Sequence, residues 1–249
     1  MSDRPAPPRL DLARAALFAD LDGTLTPIRP RPEDVGPDPR RTALLDRLCH
    51  ALGGAIAVVS GRALEDLDRV LEGGVSAIAA VHGLIRRRAT GERIDTAVDP
   101  LSETVRLAIQ VFADAHPAVR TEDKGVALTL HYRAAPDLGD ACRALADRLA
   151  REHGLTVQLG DMVVELRAPG PTKADATAAF MAEPPFAGRV PIFIGDDFTD
   201  EDGFAAAQRL GGFGVVVGQR RPSIARYALA DPDAVLAWLS DSLSGAPPP

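Results

Sequence analysis

The fold of this chain is decided by the stretch Ala15-Ala16-Leu17-Phe18-Ala19-Asp20-Leu21-Asp22-Gly23-Thr24-Leu25-Thr26, in which an apolar run ends in two carboxylates. An all-apolar run of this length predicts a buried strand, and open α/β sheets bind their ligands at the carboxyl ends of such strands. Because unpaired buried carboxylates are costly, Asp20 and Asp22 predict a bound cation at this edge. The alternative is a strand that simply ends in a polar Asp-Gly turn.

Composition and charge place the chain among ordinary globular proteins and exclude several classes of partner. Of the 249 residues, 46% are hydrophobic and 25% are charged, and the formal net charge is −7. A negative surface disfavours nucleic acid and anionic membranes, so we expect neither as a partner. The first residues lack the apolar core of a secretory leader and no apolar stretch is long enough to span a bilayer, so we expect neither a leader nor a membrane span. The only cysteines, Cys49 and Cys142, predict buried reduced thiols. We therefore expect a cytoplasmic protein, and we expect it to be a monomer.

The order of elements predicts an α/β protein with a doubly wound, mainly parallel Rossmann-like core. Apolar runs alternate with amphipathic helices through the first third of the chain and again after Lys173, which indicates a sheet covered on both faces. The middle of the chain instead shows strands of alternating polarity, typical of an antiparallel sheet with one open face. We predict an inserted α+β domain at residues 98–168, flanked by core segments 1–97 and 169–249.

Polar residues follow or flank four predicted core strands: Asp20 with Asp22, Ser60, Lys173, and Asp196 with Asp197 and Asp200. Five carboxylates that converge on one sheet edge need a hard cation, and ligation by oxygen alone suits Mg²⁺. A lysine and a hydroxyl beside helix amino termini suit a phosphoryl group, and an aspartate can form an aspartyl-phosphate. The combination predicts phosphoryl transfer.

Each of these features also has a purely structural interpretation when it is taken alone. Ser60 and Gly61 could form the N-cap of the next helix and the turn before it, which is the usual role of a serine before a helix. Lys173 could be a solvated surface charge. The acidic run from Gly195 to Asp202 could complement the dipole of a helix amino terminus.

The ordered motifs resemble those of the haloacid dehalogenase superfamily of phosphatases. They are Asp-Leu-Asp-Gly-Thr-Leu, Ser-Gly-Arg, a lone lysine and Gly-Asp-Asp-x-Thr-Asp, and with them the resemblance runs from about Leu17 to Leu239. Within that superfamily the chain resembles the trehalose-phosphate phosphatases. This closer resemblance rests on Thr121-Glu-Asp-Lys-Gly125, Leu130-His-Tyr-Arg133, Val164-Glu-Leu-Arg167 and Gly195-Asp-Asp-Phe-Thr-Asp-Glu-Asp202.

The resemblance implies a role for each matching residue of the core. Asp20 is the implied nucleophile and a Mg²⁺ ligand, and Asp22 is the implied acid and base whose backbone carbonyl also binds the metal. Asp196 is the implied second side-chain ligand, supported by Asp197 and Asp200. The remaining implied contacts are to the phosphoryl group, from Ser60, Gly61 and Lys173, and to the substrate, from Arg62. His82 also matches a position near the phosphate, with no role assigned.

In the inserted domain, which the resemblance identifies as a cap, Glu122, Lys124 and Glu165 are implied to bind sugar hydroxyls. His131 and Arg133 lie in the matching motifs without an assigned role. The structural alternative is that these charges are solvated at a strand edge. Two departures from the family pattern are visible, Asp123 where asparagine is common and Ala174 where glycine is common.

Three functions remain open at the level of sequence. The first is hydrolysis of trehalose 6-phosphate to trehalose and phosphate. The second is hydrolysis of a related sugar phosphate, namely glucosyl- or mannosyl-3-phosphoglycerate or sucrose phosphate. The third is a non-catalytic module that binds sugar phosphates, which the presence of Asp20, Asp22, Lys173 and Asp196 together disfavours.

Overall fold

In the computed structural model, which describes residues 4–218 and 222–245, the chain divides after Asp95 and again before Pro171. The residues before Thr96 and those after Gly170 together form one unit, which we call the core. Thr96–Gly170 form the other unit, which we call the insertion. The predicted inserted domain at 98–168 lies inside the second unit.

The described residues form twelve β-strands and seven α-helices. The strands are β1 (Ala15–Ala19), β2 (Ile56–Val59), β3 (Ala77–Ala80), β4 (Ile85–Arg87), β5 (Arg93–Asp95), β6 (Arg120–Asp123), β7 (Ala127–His131), β8 (Thr156–Gly160), β9 (Val163–Arg167), β10 (Val190–Gly195), β11 (Phe213–Val217) and β12 (Tyr227–Leu229). The α-helices are α1 (Pro39–Ala51), α2 (Leu64–Leu71), α3 (Glu103–Ala115), α4 (Gly139–His153), α5 (Lys173–Met181), α6 (Asp200–Arg209) and α7 (Pro232–Leu243). None of these helices has the length and apolar character needed to cross a membrane.

The core is built on an eight-stranded sheet in the order β12-β11-β10-β1-β2-β3-β4-β5. Its six strands from β12 to β3 run parallel, and the β4–β5 hairpin adds an antiparallel edge. All residues of β1, β2 and β3 are buried, as expected for a parallel sheet covered on both faces. The predicted doubly wound, mainly parallel core is confirmed.

Two local features of the core position chemistry-bearing residues at the carboxyl edge of the sheet. The chain enters α5 through a reciprocal capping box, in which Thr172 and Asp175 each satisfy a backbone N–H of the other. This cap fixes Lys173 as the first residue of α5. Beneath the edge, Phe18 of β1 stacks against Phe186, with ring centroids 5.4 Å apart, and thereby anchors the central strand.

The insertion is an antiparallel sheet in the order β6-β7-β9-β8 with two helices. One face of the sheet, which includes Leu130 and Leu166, packs in an apolar cluster with residues of α3 and α4 such as Ile109 and Cys142. The other face carries polar residues, as the alternating pattern predicts. The expectation that this face is open is wrong at its centre, because Thr129 is only 3% exposed.

Both cysteines are free thiols in the structure. Cys142 is buried in the insertion, whereas Cys49 on α1 is only partly buried. The prediction of two buried thiols is therefore wrong for Cys49, because its position on α1 lies beside the buried stripe of the helix rather than in it.

Candidate active site

The carboxyl edge of the core sheet gathers polar residues from separate parts of the chain. Asp20 directly follows β1, Ser60 directly follows β2, and Asp196 directly follows β10, and β1 lies between the other two strands. Lys173 reaches the same edge from the start of α5, since its Nζ lies 3.2 Å from Oδ2 of Asp20. The fold thus brings together residues that are as far apart in the sequence as Asp20 and Asp196.

Lys173 is the buried cation of this edge. It is 2% exposed, and its Nζ donates to Oδ1 of Asp200 at 2.7 Å in addition to its contact with Asp20. Burial alone would lower the pKa of Lys173, but the two carboxylates raise it above its usual value, so the lysine stays charged. The interpretation of Lys173 as a solvated surface charge is therefore wrong.

Three carboxylates form an acidic cluster that one lysine does not neutralise. Asp20, Asp196 and Asp200 each offer a carboxylate oxygen, and these oxygens lie within 4.8 Å of one another. Burial, opposed in part by Lys173, raises the pKa of Asp20 to about 7. Burial and the nearby charges of Asp20 and Asp200 raise the pKa of Asp196 to about 9. The cluster is short of positive charge, and a donor set of oxygens alone fits a hard divalent cation.

Asp200 orients its neighbours through both of its oxygens. Its Oδ1 accepts from Lys173, and its Oδ2 accepts the backbone N–H groups of Asp196 at 3.0 Å and Asp197 at 2.9 Å. Asp196 is held from another side by the Thr24 hydroxyl, which donates to its Oδ1 at 3.1 Å. With its oxygens already engaged, Asp200 is suited to hold the loop after β10 in place, whereas Asp20 and Asp196 are better placed to bind an ion.

Two glycines leave the space that the acidic cluster occupies. A Cβ on Gly23, whose φ is +74°, would lie 2.1 Å from Oδ2 of Asp196. A Cβ on Gly195 would lie 2.1 Å from Cγ of Asp200. Any side chain at either position would displace a carboxylate, which explains the glycine in each of the two acidic motifs.

Ser60 and Gly61 lie against His82 at the end of β2. Ser60 is 2% exposed, and its backbone carbonyl accepts the backbone N–H of His82 at 2.9 Å. A Cβ on Gly61 would lie 2.4 Å from Nε2 of His82. Since α2 begins at Leu64 with Ala63 as the preceding cap residue, Ser60 does not cap that helix, and this part of the structural alternative is wrong. The Ser60 hydroxyl does accept the backbone N–H of Arg62 at 3.4 Å, so the turn that the alternative includes is present.

The backbone beside Ser60 is held in an unusual conformation. Val81 and His82 have φ values of +46° and +57°, in the left-handed region that β-branched residues such as valine rarely adopt. Strain of this kind clusters at functional sites, where the surrounding structure enforces it. His82, which the resemblance placed near the phosphate without a role, therefore belongs to the candidate site through its strained backbone and its contact with Gly61.

Asp22 points to Arg62 rather than into the acidic cluster. Its two oxygens accept from Nε and Nη2 of Arg62 at 2.6 and 2.8 Å. Burial alone would lower the pKa of Arg62, but Asp22 and Asp66 raise it. In this structure Arg62, predicted to bind substrate, has its guanidinium engaged by protein groups.

The insertion brings its own polar residues together in a row across the sheet. In the strand register, Glu122 of β6 lies opposite Thr129 of β7, which lies opposite Glu165 of β9, which lies opposite Gln158 of β8. Glu165 is 4% exposed, and its Oε2 accepts from Lys124 Nζ at 2.6 Å and from the Thr129 hydroxyl at 2.7 Å. The three predicted sugar-binding residues thus belong to one face.

His131 lies beside this row and contacts Glu122. Oε2 of Glu122 lies 3.1 Å from Nε2 of His131, and Lys124 Nζ lies 4.0 Å from Oε1 of Glu122. Burial alone would raise the pKa of Glu122, but His131 and Lys124 lower it. The side chain of Lys124 is only 6% exposed, so the interpretation of these residues as solvated edge charges is wrong for Lys124.

Comparison with known proteins identifies the family. The model of the trehalose-phosphatase family matches residues 18–233. The protein of Escherichia coli (strain K12) named trehalose-6-phosphate phosphatase is 39% identical over 229 residues, which cover 91% of this chain and 86% of that protein. A probable trehalose-phosphate phosphatase of Sinorhizobium fredii is 39% identical over 86% of this chain and 81% of its own length.

The fold of the chain agrees with this relationship. The C-terminal domain of the trehalose-6-phosphate phosphatase of C. albicans superposes with a TM-score of 0.84 at 25% identity, over 98% of this chain and 100% of that one. A second solved structure, described as a trehalose-6-phosphate phosphatase related protein, superposes with a TM-score of 0.75 over 92% of this chain and 96% of that one. This chain belongs to the trehalose-phosphatase family, a group of phosphoric monoester hydrolases with the haloacid dehalogenase fold.

Proposed function

We propose that this protein is a Mg²⁺-dependent phosphatase that hydrolyses trehalose 6-phosphate to trehalose and phosphate through an aspartyl-phosphate on Asp20. The observation that carries the proposal is the buried cluster at the carboxyl edge of the core sheet, where Asp20 and Asp196 lie beside the Lys173–Asp200 ion pair. The names of the relatives at 39% identity support the choice of substrate.

The residues at the cluster fit a resident divalent cation. The Asp20 and Asp196 carboxylates and the backbone carbonyl of Asp22 would hold it, and Asp197 and Asp200 would support them from the second layer. The raised pKa values of Asp20 and Asp196 show that burial leaves these carboxylates short of positive charge. When bound, Mg²⁺ supplies the missing charge and offsets that of the phosphoryl oxygens.

The reaction would use two aspartates in sequence. A carboxylate oxygen of Asp20 forms a bond to phosphorus while the bond from phosphorus to the sugar oxygen breaks, and Asp22 gives the leaving oxygen a proton. Water then forms a bond to the same phosphorus, its proton passes to Asp22, and the bond to Asp20 breaks to release inorganic phosphate. Both aspartates return to their starting states.

The phosphoryl oxygens would be held by the ammonium group of Lys173 and by Ser60 and Gly61, two residues of one turn. Lys173 contacts Asp20 at 3.2 Å, so its ammonium group lies beside the attacking carboxylate. Ser60 is buried at the end of the adjacent strand, and Gly61, the next residue of the same turn, leaves the space that the His82 ring fills. These three groups would stabilise negative charge as it moves onto the transferring group.

The polar row of the insertion would recognise the sugar. Glu122 and Glu165 supply acceptors and Lys124 supplies donors, a combination that suits a polyol whose every hydroxyl both donates and accepts. Two carboxylates would repel the carboxylate of a phosphoglycerate, which disfavours glucosyl- or mannosyl-3-phosphoglycerate as substrate. Sucrose phosphate has no carboxylate, so this repulsion does not disfavour it. The experiment below distinguishes it from trehalose 6-phosphate as the substrate.

Phosphate release from a panel of sugar phosphates tests the proposal. The panel contains trehalose 6-phosphate, sucrose 6-phosphate, glucosyl-3-phosphoglycerate and glucose 6-phosphate, each with Mg²⁺ and with a chelator. We expect the highest kcat/KM for trehalose 6-phosphate and loss of activity with the chelator. A different preferred sugar would overturn the substrate, activity without metal would overturn the cofactor, and no activity on any member would favour a binding module.

A further inference from the structure

The contacts of Asp66 assign it a role that depends on Arg62. We propose that Asp66 is a positioning residue for Asp22, acting through Arg62, by holding the guanidinium in place while Asp22 leaves it during turnover. The inference rests on the proposed acid and base role of Asp22. Asp66 itself touches none of the residues that would contact the phosphoryl group.

Arg62 occupies both oxygens of Asp22 at once. Nε lies 2.6 Å from Oδ2 and Nη2 lies 2.8 Å from Oδ1, which is the two-point geometry of a strong guanidinium–carboxylate pair. In this arrangement Asp22 has its oxygens turned to the arginine. Asp22 must therefore rotate away from Arg62 before it can serve the leaving oxygen of a substrate.

The release of Asp22 would leave Arg62 as a buried cation. The arginine side chain is only 7% exposed, whereas that of Asp22 is 33% exposed. Breaking a buried pair by removing one partner is costly because the other charge is left uncompensated. The cost of releasing Asp22 thus depends on what else faces Arg62.

Asp66 is the second carboxylate on Arg62. Oδ2 of Asp66 accepts from Nη1 of Arg62, and the same Nη1 donates to the carbonyl of Pro32 at 3.0 Å. Asp66 is held in turn by Arg69, whose Nε donates to its Oδ1 at 3.1 Å. Arg69 also donates to the carbonyl of Val35 at 2.9 Å, so Asp66 is fixed between the start of α2 and the turn near Pro32.

This arrangement leaves Arg62 with a partner when Asp22 departs. With Asp66 present, the guanidinium remains paired and in place to receive Asp22 again. Without it, Asp22 would be the only carboxylate on Arg62 and would be held more tightly, so the proton transfer to a poor leaving group would slow. For a leaving group that departs without a proton, the step that forms the aspartyl-phosphate would be unaffected.

The variant Asp66→Asn tests this role by comparing two kinds of substrate. We expect kcat/KM for trehalose 6-phosphate to fall roughly 10-fold, which is typical when a residue that orients a functional group is lost. The kcat/KM for p-nitrophenyl phosphate, whose phenolate leaves without a proton, should change by less than about two-fold. This ratio reports the step that forms the aspartyl-phosphate and not the later step in which Asp22 takes a proton from water. Asp66→Glu should restore part of the loss. The matched control is Asp68→Asn on the same helix, whose carboxylate pairs with Arg87 at 2.9 Å.

Equal losses on both substrates for Asp66→Asn would overturn the inference and show a structural role. A second measurement separates this from a failure of the proposed function. If Asp22→Asn itself lowers kcat/KM equally on both substrates, the role of Asp22 as the acid that protonates the leaving oxygen is wrong. If Asp22→Asn is selective for the sugar phosphate, Asp66→Asn should add no further selective loss in that background, because it acts through Asp22. A further selective loss there would contradict the inference.

Discussion

The core and the insertion place their polar residues differently relative to their strands. In the core, β1, β2 and β3 are buried along their whole length, and Asp20 and Ser60 come directly after the last residue of a strand. In the insertion, Glu122, Thr129 and Glu165 lie within strands and face one another across the sheet.

The difference follows from what covers each sheet. A parallel sheet with helices on both faces has no place for a polar side chain inside a strand, so its chemistry is confined to the strand ends. The antiparallel sheet packs helices on one face only, and the other face is available for a row of polar groups. We therefore expect substitutions at the core edge to affect the reaction at phosphorus, with an effect that is general at Asp20 and depends on the leaving group at Asp22. Substitutions on the insertion face should affect sugar substrates alone.

The largest effect should come from Asp20, the proposed nucleophile at the core edge. Asp20→Asn replaces the carboxylate by a nearly isosteric amide that is a poor nucleophile and a weaker metal ligand, so turnover should fall by more than about 10³-fold on sugar and aryl phosphates alike. Phosphate release above about one per cent of the unaltered protein would contradict the covalent mechanism. Asp11→Asn, at an exposed position before the same strand, is the matched control.

Much of the core edge could be predicted from sequence because each residue there follows or flanks an element with a clear pattern. Asp20 and Asp196 end all-apolar runs, and Lys173 opens a helix with a recognisable cap. Thr24 and Asp66 could not be assigned in this way. The partner of Thr24 is Asp196, 172 positions away, and Asp66 acts through Arg62, so their roles appear only once the chain is folded.

Two strands, β6 and β12, could not be predicted because their hydrophobic patterns are weak. β6 reads Arg-Thr-Glu-Asp and contains no apolar residue, although it holds Glu122 in the row of the insertion. β12 has three residues at the edge of the core sheet. In both cases pairing with a neighbouring strand, rather than a hydrophobic period, determines the structure.

A second effect at the core edge should depend on the leaving group. In Asp22→Asn the backbone carbonyl remains available to the metal, so Mg²⁺ affinity should change little while proton transfer is lost. General acid and base catalysis contributes typically 10²–10⁴-fold, and we expect a loss in kcat/KM of about that size for trehalose 6-phosphate. Titration of activity with Mg²⁺ checks the assignment. A collapse in metal affinity would show that the Asp22 side chain is a ligand.

A smaller and more selective effect is expected from the insertion face. Glu122→Ala or Glu165→Ala should lower kcat/KM for trehalose 6-phosphate by about 10- to 150-fold, the equivalent of one charged hydrogen bond. Hydrolysis of p-nitrophenyl phosphate should remain within about two-fold, since it has no sugar to recognise. Glu152→Ala, on the exposed side of α4, is the control. Equal losses on both substrates would break the contrast between the two units.

The smallest effect concerns stability rather than rate. His131 and Lys124 lower the pKa of Glu122 against the opposing effect of burial, so the folded pKa lies below the ordinary value of 4.5. A lowered carboxyl pKa stabilises the fold above the unfolded pKa, and this contribution is lost as pH falls through the folded pKa. Glu122→Gln should therefore lower the free energy of unfolding at pH 7 by about 1 kcal/mol or less, since the group is partly exposed. The difference in free energy of unfolding from the unaltered protein should shrink below about pH 4.

Urea unfolding at pH 7 and below about pH 4 measures this difference. Gln158→Ala in the same row is the control, since it carries no ionisable group. A difference between Glu122→Gln and the unaltered protein that is the same at both pH values would mean that the glutamate acts by packing alone, and the polar row would then lack the electrostatic coupling that its geometry indicates.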